Sequence, residues 1–396
     1  MRTRYLKATL LTLLVAVLLT AFPVAAYNPD AQPGDPRAAS DANPDRDPAR
    51  QQPGDVQDAV SDVEEPQVEV ATPDSAPAPA WIPSGGAPGF YAARDTRNLD
   101  PDEYNLVGGH RSFYWDELEP TEGNYLWYKI DNFISAQVAQ GKKAAFGIIT
   151  FNGRANEGNV SDPPIRTPSW VFAAGARKVY CDAGEGQSVP FEIPRYWDNV
   201  YKTKYRNFIS ALAARYNGNP NIEFIQIGVG KFGETQPCDD SDEDCVSAAL
   251  AEDGWSDYTW PYIVNDIIDI YADYFTQTHL LLPNAPRFKN ECDRQIFTDE
   301  AINRGVGLFP AGIYPDLEWV DLRTYKSGTW NGCGKYDRIL DQVDAGSVNE
   351  WVPLAFEMYE YMTPDPTAFY WGVLAALSRH ADYVTLERDV LYEGNP

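Results

Sequence analysis

Short apolar runs rich in β-branched and aromatic residues recur along the chain after residue 80, and amphipathic helical patterns lie between several of them. A repeated order of strand and then helix implies parallel strands joined by crossover connections. Eight such runs in about 300 residues predict an α/β fold of the (β/α)8 type, the TIM barrel. The runs are Gly89–Ala93, Leu106–Tyr114, Ala144–Phe151, Ile222–Gly228, His279–Leu282, Val306–Phe309, Val352–Phe356 and Tyr383–Leu386.

The helical patterns between the runs support this arrangement. Residues 125–143 place their apolar side chains on one face of a helix and reach the stop signal Gly141. A second pattern spans 197–219 and ends at Gly218 in the same way. A doubly wound open sheet is the alternative fold, but no glycine-rich phosphate loop follows the first predicted strand.

Two glutamates stand where predicted strands end, since Glu234 follows the fourth run and Glu357 directly follows the seventh. Carboxylates are rarely buried without a partner, so packing alone does not explain them. The active site of such a barrel lies at the C-terminal ends of its strands, and strands four and seven face each other there. We therefore predict both as catalytic, one as proton donor and one as base or nucleophile, which is the pair that glycosidic bond hydrolysis needs. The alternative is that both are ion-paired scaffold residues.

Further residues near the predicted strand ends are candidates for sugar contacts. Aromatic rings stack on the apolar face of a pyranose, and polar side chains hydrogen-bond its hydroxyl groups. The candidates are Arg111, Trp115, Asn152, Asp162, Trp170, Tyr314, Tyr359 and Glu387. An outward salt bridge is an equally good interpretation of Arg111, and core packing is the alternative for the aromatic residues.

The N-terminal region is expected to lie outside the barrel. In residues 1–26, basic residues precede an apolar stretch and a small-residue cleavage site, which predicts a secretory signal peptide, with an uncleaved anchor helix as the alternative. Residues 27–80 are rich in Pro and Ala, lack Phe, Trp, Leu and Ile, and carry twelve acidic residues against three arginines. This composition predicts a disordered acidic linker. We therefore expect the folded domain over 81–396 and a secreted or extracellular protein, with cell-surface association open.

The formal net charge of −26 argues against nucleic acid or an anionic membrane as a partner. No spacing of cysteine and histidine indicates a zinc site, and we expect neither a metal nor another cofactor. We interpret the acidic segment 239–244 as a solvated loop. Ca²⁺ binding is the alternative, although the segment lacks the spacing of an EF-hand.

Five cysteines are compatible with disulfides in an exported protein. Cys238 and Cys245 flank a short acidic segment and form one possible pair. Cys292 and Cys333 form a second possible pair, which leaves Cys181 without a partner. Sequence alone does not determine the connectivity.

The passage WDELEPTEGNYLWYKIDNFISAQVAQGKKAAFGI, residues 115–148, resembles the second and third βα units of family 42 β-galactosidases, which belong to the clan A glycoside hydrolases. The resemblance implies an acid/base glutamate after the fourth strand and a nucleophilic glutamate at the end of the seventh. The matching residues are Glu234 and Glu357. Clan members usually carry asparagine before the acid/base residue, where this chain has Gly233.

Three further motifs are similar to the family 14 β-amylases. GVGKFGE resembles their acid motif, FEM resembles the segment with their base, and GNVSD with PSWV resembles their third-strand loop. In that loop Asp162 would match a substrate-binding aspartate. Family 42 implies retention of anomeric configuration and family 14 implies inversion, for which carboxyl separations of about 5–5.5 Å and about 6.5–9.5 Å are typical.

The sequence therefore predicts a secreted glycoside hydrolase that acts on an oligosaccharide or polysaccharide. The alternative is a catalytically inactive barrel that serves as a cell-surface carbohydrate-binding or scaffold protein, since fold alone does not determine function.

Overall fold

All eight predicted barrel strands occur in the computed structural model. The model describes residues 86–93, 105–153, 164–181, 191–283, 288–289, 293–310, 352–357, 366–378 and 381–386. The strands are β1 (Gly89–Ala93), β2 (Gly108–Tyr114), β3 (Lys143–Ile149), β4 (Lys178–Cys181), β5 (Phe191–Pro194), β6 (Ile222–Gln226), β7 (His279–Leu282), β8 (Gly307–Leu308), β9 (Ala355–Glu357) and β10 (Tyr383–Leu386). The helices are α1 (Trp115–Leu118), α2 (Tyr128–Val138), α3 (Ser169–Ala173), α4 (Asn199–Tyr216), α5 (Glu243–Glu252), α6 (Trp260–Ala272), α7 (Asp293–Asn303) and α8 (Pro366–Ser378). The predicted signal peptide and linker lie outside the described residues.

The barrel strands are parallel and follow one another around a ring in the order β8, β7, β6, β3, β2, β1, β10, β9. The two outermost strands of this order, β8 and β9, meet through a bridge between Leu308 and Leu354, and Leu308 N donates to Pro353 O at 2.9 Å. The barrel is thus nearly closed, and the prediction of a (β/α)8 fold is confirmed. None of the described helices has both the length and the apolar composition that a membrane span requires.

Side chains alternate between the two faces of each barrel strand. On β3, Phe146 and Ile148 point outward into the layer of helices, whereas Ala145 belongs to a separate cluster inside the barrel. That inner cluster also contains Tyr91 and Phe224. Because both faces of these strands are buried, their sequences appear as nearly continuous apolar runs.

An irregular pairing between β3 and β6 shapes the N-terminal end of the lumen. The register shifts between Ala144 and Ala145, and Glu223 is the extra residue on β6. The Glu223 Oε1 atom accepts hydrogen bonds from Ala87 N at 2.6 Å and from Tyr383 Oη at 2.8 Å. The segment before β1 is thereby fixed at this end of the barrel, opposite the end where active sites of such barrels lie.

An antiparallel hairpin of β4 and β5, which the sequence analysis did not predict, precedes α4. A disulfide joins Cys181 of β4 to Cys245 of α5. The possible pairing of Cys238 with Cys245 is therefore wrong, and Cys238 is a free, buried thiol. The physical reason is that the hairpin brings Cys181 to α5, a contact between distant segments. Cys292 and Cys333 lie outside the described residues.

Loss of this disulfide should lower the free energy of unfolding. The bridge joins residues separated by 64 positions, and a closed loop of that length is worth about 4 kcal/mol through chain entropy. The double variant Cys181→Ala/Cys245→Ala should therefore unfold at a lower urea concentration than the wild type. The control Cys238→Ala, which leaves the bridge in place, should shift the midpoint less. A non-reduced peptide map that contains a Cys238–Cys245 cross-link would contradict the connectivity.

Candidate active site

Glu357 is the last residue of β9 and lies at the C-terminal end of the barrel. It shares a strand face with Ala355 of the inner cluster, whereas Phe356 packs in the outer core. Strand alternation therefore directs the Glu357 side chain into the lumen, where it is partly exposed. Its backbone N–H donates to Pro310 O at 3.3 Å, which holds the end of β9 against the chain that follows β8.

Glu234 lies on a tight turn beyond the end of β6. Glu234 N donates to Lys231 O at 2.8 Å, and φ is +55° at Phe232 and +83° at Gly233. Positive φ at both central positions is the pattern of a type I′ turn. Glycine suits position 233, because a β-carbon there would lie only 3.2 Å from Ile148 O. Phe232 has no such freedom, and its conformation costs about 1–3 kcal/mol.

Backbone hydrogen bonds hold the two sides of this turn together. Gly230 N donates to Glu234 O at 2.8 Å, and Val229 N donates to Gly233 O at 3.1 Å. A β-carbon on Gly230 would lie 2.0 Å from Gln236 O, so a larger residue would force the loop apart. The Glu234 carboxylate accepts a hydrogen bond from Gln236 Nε2 at 2.8 Å. Its own loop therefore orients the carboxyl group, which remains partly exposed.

Buried aromatic side chains hold the Glu234 loop from the protein interior. Tyr205 Oη donates to Gly228 O at 2.8 Å and is hydrogen-bonded to Tyr271 Oη at 2.8 Å. Trp260 Nε1 donates to Thr235 O at 2.8 Å. The loop is therefore tied to helices α4 and α6 on both sides of the turn, and rigid support of this kind favours a precise site.

Two polar side chains that the sequence analysis missed lie in the lumen below the turn. Gln226, the last residue of β6, lies beside His110 of β2. His110 stacks on Phe224 with ring centroids 5.8 Å apart. A β-carbon on Gly233 would lie 3.8 Å from Gln226 Nε2, which places this pair next to the turn. Strand alternation is the one sequence signal for them, since it puts each on a single face of its strand, but only the packing shows that this face is the inward one.

Acid should destabilise the wild-type protein through His110. Burial lowers the pKa of His110 from 6.5 to about 4, although the neighbouring Gln226 side chain opposes this change. The unfolded chain takes up a proton near pH 6.5 and the folded protein only near pH 4, so stability is lost as pH falls through this window. The total loss is about 3 kcal/mol. His110→Gln should therefore lose less stability than the wild type between about pH 7 and about pH 4 in urea unfolding.

The matched control for that experiment is Tyr180→Phe, a change at an exposed position of the β4–β5 hairpin. It should lose as much stability with acid as the wild type does. An equal loss in His110→Gln and in the wild type would contradict the assignment to His110.

Three of the predicted sugar contacts lie away from the lumen of the barrel. Trp115 is 0% exposed and donates from Nε1 to Glu119 Oε2 at 2.9 Å. Trp170 packs edge-on against it, with ring centroids 6.1 Å apart, and donates to Glu119 O at 2.9 Å. Arg111 lies on the outward face of β2, where its guanidinium is 5.2 Å from the centre of the Phe113 ring. The residue type alone could not show which face each side chain occupies.

Asn152 follows β3 close to the Glu234 turn, because the preceding Phe151 O accepts a hydrogen bond from Phe232 N at 2.8 Å. Asn152 is only 2% exposed, and its contact with a sugar stays a prediction. The remaining predicted contacts lie outside the described residues; they are Asp162, Tyr314, Tyr359 and Glu387.

A charged cluster that the sequence analysis missed lies at the C-terminal end of β2. Arg166 donates to Asp116 Oδ2 at 3.2 Å and to Glu117 Oε1 at 2.9 Å. Its guanidinium lies 3.5 Å from the centre of the Tyr114 ring. Burial raises the pKa of Asp116 to about 6, against the opposing attraction of Arg166. A carboxyl group that titrates near neutral pH therefore lies at the same end of the barrel as the two glutamates.

The acidic segment 239–244 obtains its counter-charge from lysine. Lys289 Nζ lies 2.6 Å from Asp244 Oδ1 and 3.6 Å from Glu243 Oε2, and the segment continues into α5.

In the described part of the chain, one group of three side chains has the spacing of metal ligands, but two of the three form the disulfide. The group is Cys181, Asp242 and Cys245.

No protein-family model matches the chain, and no curated protein does so. Solved structures resemble it at low identity. The catalytic domain of a β-amylase from Paenibacillus polymyxa is 12% identical with a TM-score of 0.51, over 76% of this chain and 92% of that one. Endo-glycoceramidase II from Rhodococcus sp. is 12% identical with a TM-score of 0.44, over 77% and 74%. A β-galactosidase from the haloarchaeon Halorubrum lacusprofundi is 12% identical with a TM-score of 0.44, over 75% and 52%.

Of these three structures, the β-amylase domain is the one with a TM-score above 0.5, and it supports a shared fold. At 12% identity the likeness is one of fold. The predicted resemblance to (β/α)8 glycoside hydrolases is thereby confirmed at the level of fold: the chain has the barrel architecture of a β-amylase catalytic domain.

Proposed function

We propose that this protein is a glycoside hydrolase, with Glu234 as general acid and Glu357 as nucleophile or base. The observation that carries the proposal is the position of the two carboxyl groups, one at the end of β9 and one on a rigid turn beyond β6. Both positions belong to the C-terminal end of one nearly closed barrel. Hydrolysis of a glycosidic bond needs two carboxyl groups on opposite sides of that bond.

The positions of the two glutamates support their proposed roles. The acid must hold a proton and point at the leaving oxygen, and the contact between Glu234 and Gln236 Nε2 orients its carboxyl group. The base or nucleophile must meet the anomeric carbon from the other side, and Glu357 is directed into the lumen. The name of the β-amylase, whose fold is similar, supports the same reaction class.

The substrate is a neutral oligosaccharide or polysaccharide. A formal net charge of −26 would repel a polyanionic glycan at long range, whereas a neutral sugar would not be repelled. Trp and Tyr together number 35 of the 396 residues, which suits recognition by stacking.

The test is hydrolysis by the wild-type protein of glycosyl fluorides, maltohexaose and cellohexaose, with the anomer of the first product followed by proton NMR. Retention would support a nucleophilic Glu357, and inversion would support Glu357 as base. Binding of a hexasaccharide in calorimetry, without hydrolysis of any substrate, would favour the alternative of a carbohydrate-binding barrel.

Export from the cell is part of the proposal. The disulfide between Cys181 and Cys245 supports it, because such bonds persist mainly in oxidising compartments. A mature N-terminus near Tyr27, found by mass spectrometry of the secreted protein, would fit cleavage of a signal peptide. Full-length protein retained in the cytoplasm would contradict it.

A further inference from the structure

Phe232 combines two properties that folding alone does not require. It occupies the left-handed region of backbone space, with φ at +55°, which is rare for a bulky side chain. Its side chain is nevertheless 38% exposed, so a substantial part of the ring contributes no burial. Glycine or asparagine would fit the same turn position with less strain. A strained, exposed aromatic residue is therefore a candidate for a role in binding.

The contacts of Phe232 place it between the proposed acid and the residues directly beyond β3. It lies two positions before Glu234, and its N–H donates to Phe151 O at 2.8 Å. Lys231 Nζ is 5.1 Å from the centre of its ring and pairs with Asp239 at 2.5 Å. The ammonium group beside the Phe232 ring is therefore neutralised by Asp239. Because no unpaired charge results from this pair, the surface around the ring suits an uncharged ligand.

The proposed role of Glu234 defines which part of a substrate would meet this ring. A general acid protonates the oxygen of the leaving group, so residues beside it lie on the leaving-group side of the scissile bond. An exposed phenyl face is chemically suited to the apolar face of a pyranose. A sugar there would be the first unit of the departing saccharide.

We propose that Phe232 is the stacking platform of a leaving-group subsite for a neutral sugar, beside the acid Glu234. This inference rests on the proposed function and adds the subsite to it. The strained turn is retained because it presents the ring next to the acid, at the expense of stability.

The test compares two substrates that differ in the leaving group. A glycosyl fluoride has no leaving sugar, whereas a hexasaccharide does. In Phe232→Ala, kcat/KM for the hexasaccharide that the wild type hydrolyses should fall about tenfold more than kcat/KM for the matching glycosyl fluoride. Phe232→Tyr keeps an aromatic ring and should preserve the wild-type ratio of the two values.

A second variant separates the ring from the backbone strain. Phe232→Asn removes the ring and relieves the strain, so it should show the same altered ratio as Phe232→Ala while its melting temperature rises by about 2–4 °C. Tyr258→Ala is the matched control, because it removes an aromatic ring that is 70% exposed in the segment before α6. Its ratio should equal that of the wild type.

Two results would overturn the inference. Equal losses on both substrates in Phe232→Ala would mean that the ring only shapes the turn, and no loss on either substrate would mean that no leaving sugar contacts it. Either result leaves the proposed function intact, provided that the wild type hydrolyses the substrates. If the wild type hydrolyses none of them, the proposed function fails and this subsite fails with it.

Discussion

A Glu357→Gln variant is expected to lose about 10⁴-fold or more in kcat on every glycoside that the wild-type protein hydrolyses. Glutamine has nearly the same shape, but its amide is neither a nucleophile nor a base at neutral pH. The melting temperature should change little, because Glu357 is partly exposed and its backbone contact with Pro310 does not depend on the carboxylate. Initial rates on a glycosyl fluoride, together with a thermal melt, measure both quantities.

Chemical rescue makes the Glu357 prediction sharper. In Glu357→Ala, azide should enter the space of the missing carboxylate and attack the anomeric carbon of an activated glycoside. The expected product is a glycosyl azide of inverted configuration, detected by NMR. A variant that keeps wild-type turnover without azide would contradict the assignment of Glu357.

A Glu234→Gln variant is expected to lose activity in a way that depends on the leaving group. A proton donor contributes about 10²- to 10⁴-fold, mainly where the departing oxygen is strongly basic. Hydrolysis of an oligosaccharide should therefore fall by about that factor, whereas a glycosyl fluoride needs less acid assistance and should lose much less. Plotting log kcat/KM against the pKa of the leaving group measures the effect, and the slope should be steeper in the variant.

The matched control for Glu234→Gln is Glu223→Gln on β6, the strand that precedes the Glu234 turn. Glu223 lies at the opposite end of the lumen, where it accepts hydrogen bonds from Ala87 N and Tyr383 Oη. Its replacement should alter stability and leave the slope of the leaving-group plot unchanged. The same slope for Glu234→Gln and the wild type would contradict the role of Glu234 as acid.

The barrel could be predicted from the sequence because its strands are buried on both faces. Such strands leave compact apolar runs, and each of the eight predicted runs contains or overlaps an observed strand. The observed strands are mostly shorter. Their ends depend on individual contacts, such as the bridge of Phe151 to Lys231 beyond β3, which a local pattern does not encode.

The candidate site could be predicted only in part. Residue type and strand order predict Glu234 and Glu357 as the catalytic pair, which stays a prediction, whereas the predicted stacking partners rest on residue type alone. Trp115 and Trp170 proved to be packing residues under α4, since an indole ring serves a core as well as a cleft. His110 was missed because one histidine in a strand gives no local sign of the face it occupies.

The sequence by itself determined the alternation of strands and helices, and with it the end of the barrel at which Glu234 and Glu357 would lie. These features depend on local periodicity, which each segment carries independently of the rest. Only the tertiary structure decided that Cys181 pairs with Cys245, that His110 and Gln226 lie in the lumen, and that Phe232 is strained beside Glu234. Each of these depends on segments distant in sequence meeting in space, and such contacts are set by the packing of the whole domain.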